Sequence, residues 1–218
     1  MNSNLSVERK KLLERYLDAA ANLYGIIPLS KILKIYNSQN EPITENDFLQ
    51  FIEDLDLSHK YYYIIGEDEF YNDVDIVSPI ERDIVAEYIV MEDGDPMYYQ
   101  IKEGQFGKPY FVPEKEKLLK YEDSLYIEKT LSFISFRAFL RNQSYLTKEK
   151  ADEIAEEICS SANVYNGSID DAIKMADFLG FQFTASSMNE FNRLFTDMFN
   201  DTRLHINCGH TPNEMYKI

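Results

Sequence analysis

TENDFLQFIEDLDLSHKYYYIIGEDEFYNDVDI, residues 44–76, changes its periodicity halfway along. Thr44, with Asp47 three positions on, makes a helix start. Phe48, Phe51, Ile52 and Leu55 follow at the spacing that puts side chains on one helical face. From Lys60 the pattern becomes aromatic and β-branched on both sides of Gly66-Glu67-Asp68, which predicts a β-hairpin. A helix running into a hairpin suggests the end of a winged helix-turn-helix, so two more helices should precede it.

They do. Leu13, Tyr16, Leu17, Ala20, Leu23 and Tyr24 share one face of a helix over 6–24, stopped by Gly25. Pro28 opens a second helix with Leu29, Ile32, Leu33 and Tyr36 on its apolar face. After the hairpin, Ser78-Pro79-Ile80-Glu81 has a hydroxyl cap, Pro at the first helical position and Glu closing the box, so a helix is predicted from there to about Val90. The stretch MEDGDPMYYQIKEGQFGKP, residues 91–109, holds three Gly and two Pro and marks a domain boundary. The chain therefore reads as an acidic winged-helix-like module over 1–103 and a helical domain over 104–218.

Beyond Pro113 the pattern is helical. A short charged helix covers 113–121. Residues 124–142 place Ile127, Leu131, Ile134 and Ala138 on one stripe. Thr147 caps a helix with Ala151, Ile154, Ala155, Ile158, Cys159 and Ala162 inward and Asp152, Glu153, Glu156 and Glu157 opposite. Asn166-Gly167 turns the chain into a helix over 169–179. Ser187 with Glu190 opens another, carrying Met188, Phe191, Leu194, Phe195 and Met198. The fold class expected is mainly α with one small β-hairpin.

Charge narrows the function. Of the net −16, residues 1–40 contribute +3, residues 41–103 contribute −15 and residues 104–218 contribute −4. The acidic block has eighteen carboxylates against Lys60, Arg82 and Lys102 alone. Such a block repels phosphates, so neither a nucleic-acid nor an anionic-membrane partner is expected. The third helix of the module carries five acids and no base over 44–57, the inverse of what a DNA-reading helix needs. Only residues 1–40 offer a basic surplus for the alternative, a winged-helix DNA binder. Without a signal-peptide run, a membrane span or a disulfide framework, a cytoplasmic protein is expected.

Known chemical signatures are missing. GQFGKP lacks the P-loop spacing, MEDGDP does not match a calcium loop, and neither G-x-S-x-G nor H-E-x-x-H occurs. The tail LHINCGHTPNE, residues 204–214, gathers His205, Cys208 and His210. A metal site there would need a fourth ligand, for which Cys159 sits on an apolar stripe suited to an inert thiol. A hydrolytic set of Asp201, Arg203, His205 and His210 is the other chemical reading. The simpler one is punctuation. Gly209 suits a left-handed helix stop, and Thr211-Pro212-Asn213-Glu214 repeats the start grammar of residues 78–81.

Three stretches together carry a resemblance: YLDAAANLYGIIPLSKILKIYNSQN (16–40), GKPYFVPEKEKLLKYEDSLYIEKT (107–130) and DTRLHINCGHTPNE (201–214). They resemble an uncharacterised group of proteins from low-GC Gram-positive bacteria and their mobile elements. There the last motif, N-T-R followed by G-H-T-P-N-E, often precedes a Cys/His-rich, SEC-C-like metal-binding tail. The sequence ends at Ile218, so such a tail is not expected, and His205 stands where the group has an aromatic, so zinc binding is not what the resemblance implies for this chain. Thr202, Arg203, Gly209, His210, Thr211, Pro212, Asn213 and Glu214 match and read as a conformational signature of the last helix pair.

The expectation is a non-enzymatic interaction or regulatory protein without a cofactor, engaging a basic protein partner. Its surface would comprise Glu53, Asp54, Asp56, Tyr62, Glu67, Asp68, Glu69, Tyr71 and Asp73, tyrosine adding contact area and a hydrogen bond to the carboxylates. The alternative from another class is a metal-binding protein or metal-dependent hydrolase centred on His205, Cys208 and His210.

Overall fold

The computed structural model describes residues 5–66, 69, 77–90, 96–165 and 167–217. It divides into two compact units, residues 1–107 with 111–126 and residues 108–110 with 127–218.

The first unit begins with α1 (Val7–Tyr24). Ser6 caps it by accepting from the Arg9 N–H, and Gly25, at φ 66°, ends it. The chain passes through β1 (Ile26–Pro28) into α2 (Leu29–Gln39) and α3 (Glu45–Glu53). The Thr44 hydroxyl accepts from the Asp47 N–H at 3.1 Å, and Phe48, Phe51 and Ile52 are buried. Two strands follow, β2 (Tyr62–Ile65) and β3 (Asp83–Ala86). The sheet order is β1-β3-β2, both pairings antiparallel. Among the described residues the order is helix, strand, two helices and two strands, with the last strand central, which is consistent with the winged-helix-like module expected.

Register fixes what each face meets. Ile64 lies opposite Ile84 and Tyr62 opposite Ala86; this is the face turned to α1, whose Asp18 and Glu14 act on the Tyr62 hydroxyl. Tyr63 lies opposite Val85 and Ile65 opposite Asp83 on the other face. There Asp83 accepts from the Tyr98 hydroxyl at 2.9 Å and the Lys102 ammonium at 2.7 Å, both on α5 (Pro96–Gln105). Helices thus cover β3 on both sides, and all four of its residues are buried.

This sheet corrects the helix expected over 78–90. Ser78 makes no cap bond, Pro79–Glu81 is a single 3-10 turn, and helix resumes only at α4 (Glu87–Val90). Between them, Ile84 and Val85 are completely buried between two strands, a gain that a local helix start cannot match. The hairpin expected over 60–76 has its first strand in β2. Its turn and return strand fall on 67–68 and 70–76, outside the described residues, and the described strand paired with β2 is β3.

Residues 111–126 close the first unit. They include α6 (Lys115–Leu118) and a 3-10 turn at Leu119–Glu122. Tyr24 donates to the Phe111 carbonyl at 2.7 Å, Asn22 to that of Tyr121 at 2.8 Å and Gln39 to that of Pro113 at 2.7 Å. Three side-chain amide or hydroxyl donors thereby satisfy backbone carbonyls of this segment.

The second unit is built on α7 (Leu131–Arg141), α8 (Lys148–Tyr165), α9 (Ile169–Phe178) and α10 (Ala185–Asn200). Its core joins Phe133, Phe136 and Leu140 to Ile154, Ala155, Ile158, Cys159, Ala176, Phe181, Phe191, Phe195 and Met198. Phe136 and Phe191 meet edge to face, their centroids 5.2 Å apart. Two local expectations change. The stripe Leu131, Ile134 and Ala138 faces outward, Leu131 being 83% exposed, because the larger Phe133, Phe136 and Leu140 bury more area when they take the core side. And α10 starts at Thr184, not Ser187: Thr184 accepts from the Ser187 N–H at 3.1 Å while the Ser187 hydroxyl accepts from the Thr184 N–H at 2.8 Å.

Candidate functional site

In the first unit, burial of Phe48, Phe51 and Ile52 turns the polar side of α3 outward. Glu45, Asn46, Glu53 and Asp54 are exposed there, and Asp56 follows in the next turn. The Gln50 amide leans towards the Glu53 and Asp54 carboxylates, at 3.4 and 3.5 Å. The Ser58 hydroxyl and N–H hold the Asp56 carboxyl below its ordinary value, which keeps it charged.

β2 adds aromatic area by alternation. Tyr61 and Tyr63 are 74% and 42% exposed, whereas Tyr62 between them is 3% exposed. Tyr62 is therefore not a surface residue. Burial, followed by the nearby Asp18 and Glu14 carboxylates, pushes its phenol far up. Glu69 is exposed and accepts from the Gly66 N–H at 2.9 Å. Glu67, Asp68, Tyr71 and Asp73 lie outside the described residues.

The three cations of the acidic block are each engaged. Lys60 donates to both Asp18 oxygens at 3.0 Å and lies 3.7 Å from Glu14. Arg82 pairs with Glu69 at 3.1 Å and donates to the Ile64 carbonyl, and Lys102 is drawn to buried Asp83. Lys60 thus neutralises α1 rather than α3. In the basic N-terminal segment Arg9 pairs with Glu41, and Arg15 with Glu122 at 3.0 Å. What remains on α3 is a surface of carboxylates, and no ion pair to one of them occurs among the described residues.

In the second unit, the His/Cys strip forms a closed turn. His205–Asn207 is a 3-10 turn, and Cys208 and Gly209 both adopt left-handed conformations, at φ 51° and 80°. The Leu204 carbonyl accepts from the Asn207 and Gly209 N–H groups, each at 3.1 Å, and the His210 carbonyl accepts from the Leu204 N–H at 3.2 Å. Lys108 donates to the Ile206 carbonyl at 3.0 Å and to Asn207 Oδ1 at 2.7 Å. His205 and Cys208 are buried within this turn. The Cys208 thiol points to the Lys108 carbonyl at 3.9 Å.

α11 (Pro212–Met215) follows with a reciprocal cap: Thr211 accepts from the Glu214 N–H and Glu214 from the Thr211 N–H, both at 3.1 Å. Arg203 ties this end of the chain together. Its guanidinium, 8% exposed, donates to Glu128 at 2.8 Å, Glu214 at 3.0 Å and the Gly209 carbonyl at 3.1 Å. Burial pushes the Glu214 carboxyl up, but the Thr211 N–H and the Arg203 charge together bring it below its ordinary value. His210 Nδ1 lies 3.4 Å from Glu214. Thr202 donates to the Met198 carbonyl at 2.8 Å, and Asp201 accepts from Ser132 and Asn213, each at 2.8 Å.

The fourth metal ligand weighed from sequence, Cys159, packs in the helical core 3.8 Å from the Thr202 hydroxyl, and burial pushes its thiol up to about 11. Such a thiol is a poor ligand and nucleophile at neutral pH. Among the described residues, no group of three His, Cys, Asp or Glu side chains is placed to hold a metal ion. Glu128, the partner of Arg203, was missed from sequence because no local pattern links positions 75 residues apart.

No family model matches the chain, and no curated protein or solved structure matches it. Among the described residues, no helix is long and apolar enough to cross a membrane.

Proposed function

We propose that the protein is a non-enzymatic interaction or regulatory protein whose winged unit takes a basic protein surface on the exposed side of α3, with the exposed Tyr61 and Tyr63 of the same unit as further candidate contact area. One observation carries the reading. In a nucleic-acid-binding winged module the corresponding helix is basic and enters the major groove; here it exposes Glu45, Glu53 and Asp54, while the cations of the block are engaged elsewhere. Uncompensated charge on one side speeds encounter with an opposite charge and rejects like-charged partners. In the second unit, backbone closure and the Arg203 ion pairs account for the motif residues without assigning them a reaction.

The test is affinity capture from lysate with the wild-type protein and with Glu53→Lys/Asp54→Lys, both verified as folded by circular dichroism. The double variant should lose the basic partners the wild-type retains, and the wild-type yield should fall with added salt. Identical partner profiles would overturn the proposal. A gel shift with duplex DNA at low salt separates the DNA-binding alternative, because only that reading predicts a retarded band.

A further inference from the structure

We draw no further inference here: the strongest candidate, the open groove of about 720 Å³ between α7 and α10, carries nothing, because Asp201 is held by Ser132 and Asn213, Arg193 lies between Glu190 and Asp197, and nothing in the structure shows what covers it.

Discussion

Ser78-Pro79-Ile80-Glu81 and Thr211-Pro212-Asn213-Glu214 spell the same helix start and fold differently. The second makes both reciprocal cap bonds and opens α11. In the first, Ser78 caps nothing, Glu81 instead accepts from the Ser30 hydroxyl at 3.1 Å, and the chain becomes a strand after one 3-10 turn. The difference lies in what surrounds each start. Glu214 is fixed by a buried guanidinium, whereas Glu81 is followed by Ile84 and Val85, which two strands and two helical layers bury. A cap adds about 1 kcal/mol; burying two β-branched side chains adds about 1.5–3 kcal/mol each. The larger quantity decides.

That comparison can be broken at several points. Ile84→Ala removes the burial that overrides the first start and should cost about 4 kcal/mol. Chemical denaturation read by near-ultraviolet signals should show it, and a cost near zero would mean that β3 is not the determinant. Arg203→Ala removes the clamp on the second start. Its partners are partly exposed, so a loss of about 3 kcal/mol is expected, at the low end for a buried pair. Met in place of Ala separates lost packing from lost charge.

Smaller effects distinguish the two caps directly. Thr211→Ala should cost about 1 kcal/mol, whereas Ser78→Ala should stay within about 0.5 kcal/mol; equal values in paired urea melts would erase the distinction. The smallest effect is acid sensitivity. Because the folded-state value of Glu214 is depressed below 4.5, its contribution is complete above the unfolded value and is lost as pH falls through the folded one. Glu214→Gln should flatten the stability profile of the second unit below about pH 4.5 and leave the profile above it parallel to wild type. An unchanged acid limb would show that the carboxylate contributes nothing there.

Alternation along YYYII turns either Tyr62 alone or Tyr61 and Tyr63 together inward, and the surface expected from sequence took the wrong phase for Tyr62, which is 3% exposed. A period of two fixes alternation but not phase, and the phase comes from pairing with Ala86 and Val85. The same ambiguity, at helical period, put Leu131 and Ile134 on the wrong side of α7. Two apolar stripes compete there, and the tertiary core of α8, α10 and Phe181 that receives Phe133, Phe136 and Leu140 selects between them. The punctuation of the tail was readable because capping is local, spanning three residues. The ion pair that secures it was not, since Glu128 lies 75 positions from Arg203.

By itself, the sequence determined α1, α2, α3, α8 and α9, the caps at Thr44, Thr147 and Thr211, the mainly helical class and the concentration of negative charge in residues 41–103. Each depends on neighbours within a few positions or on composition alone. Tertiary structure decided the strand at 83–86, the attachment of residues 111–126 to the first unit and the partners of Lys60, Lys102 and Arg203. Those outcomes depend on which distant surfaces meet, and desolvation there outweighs the roughly 1 kcal/mol preferences that local patterns express.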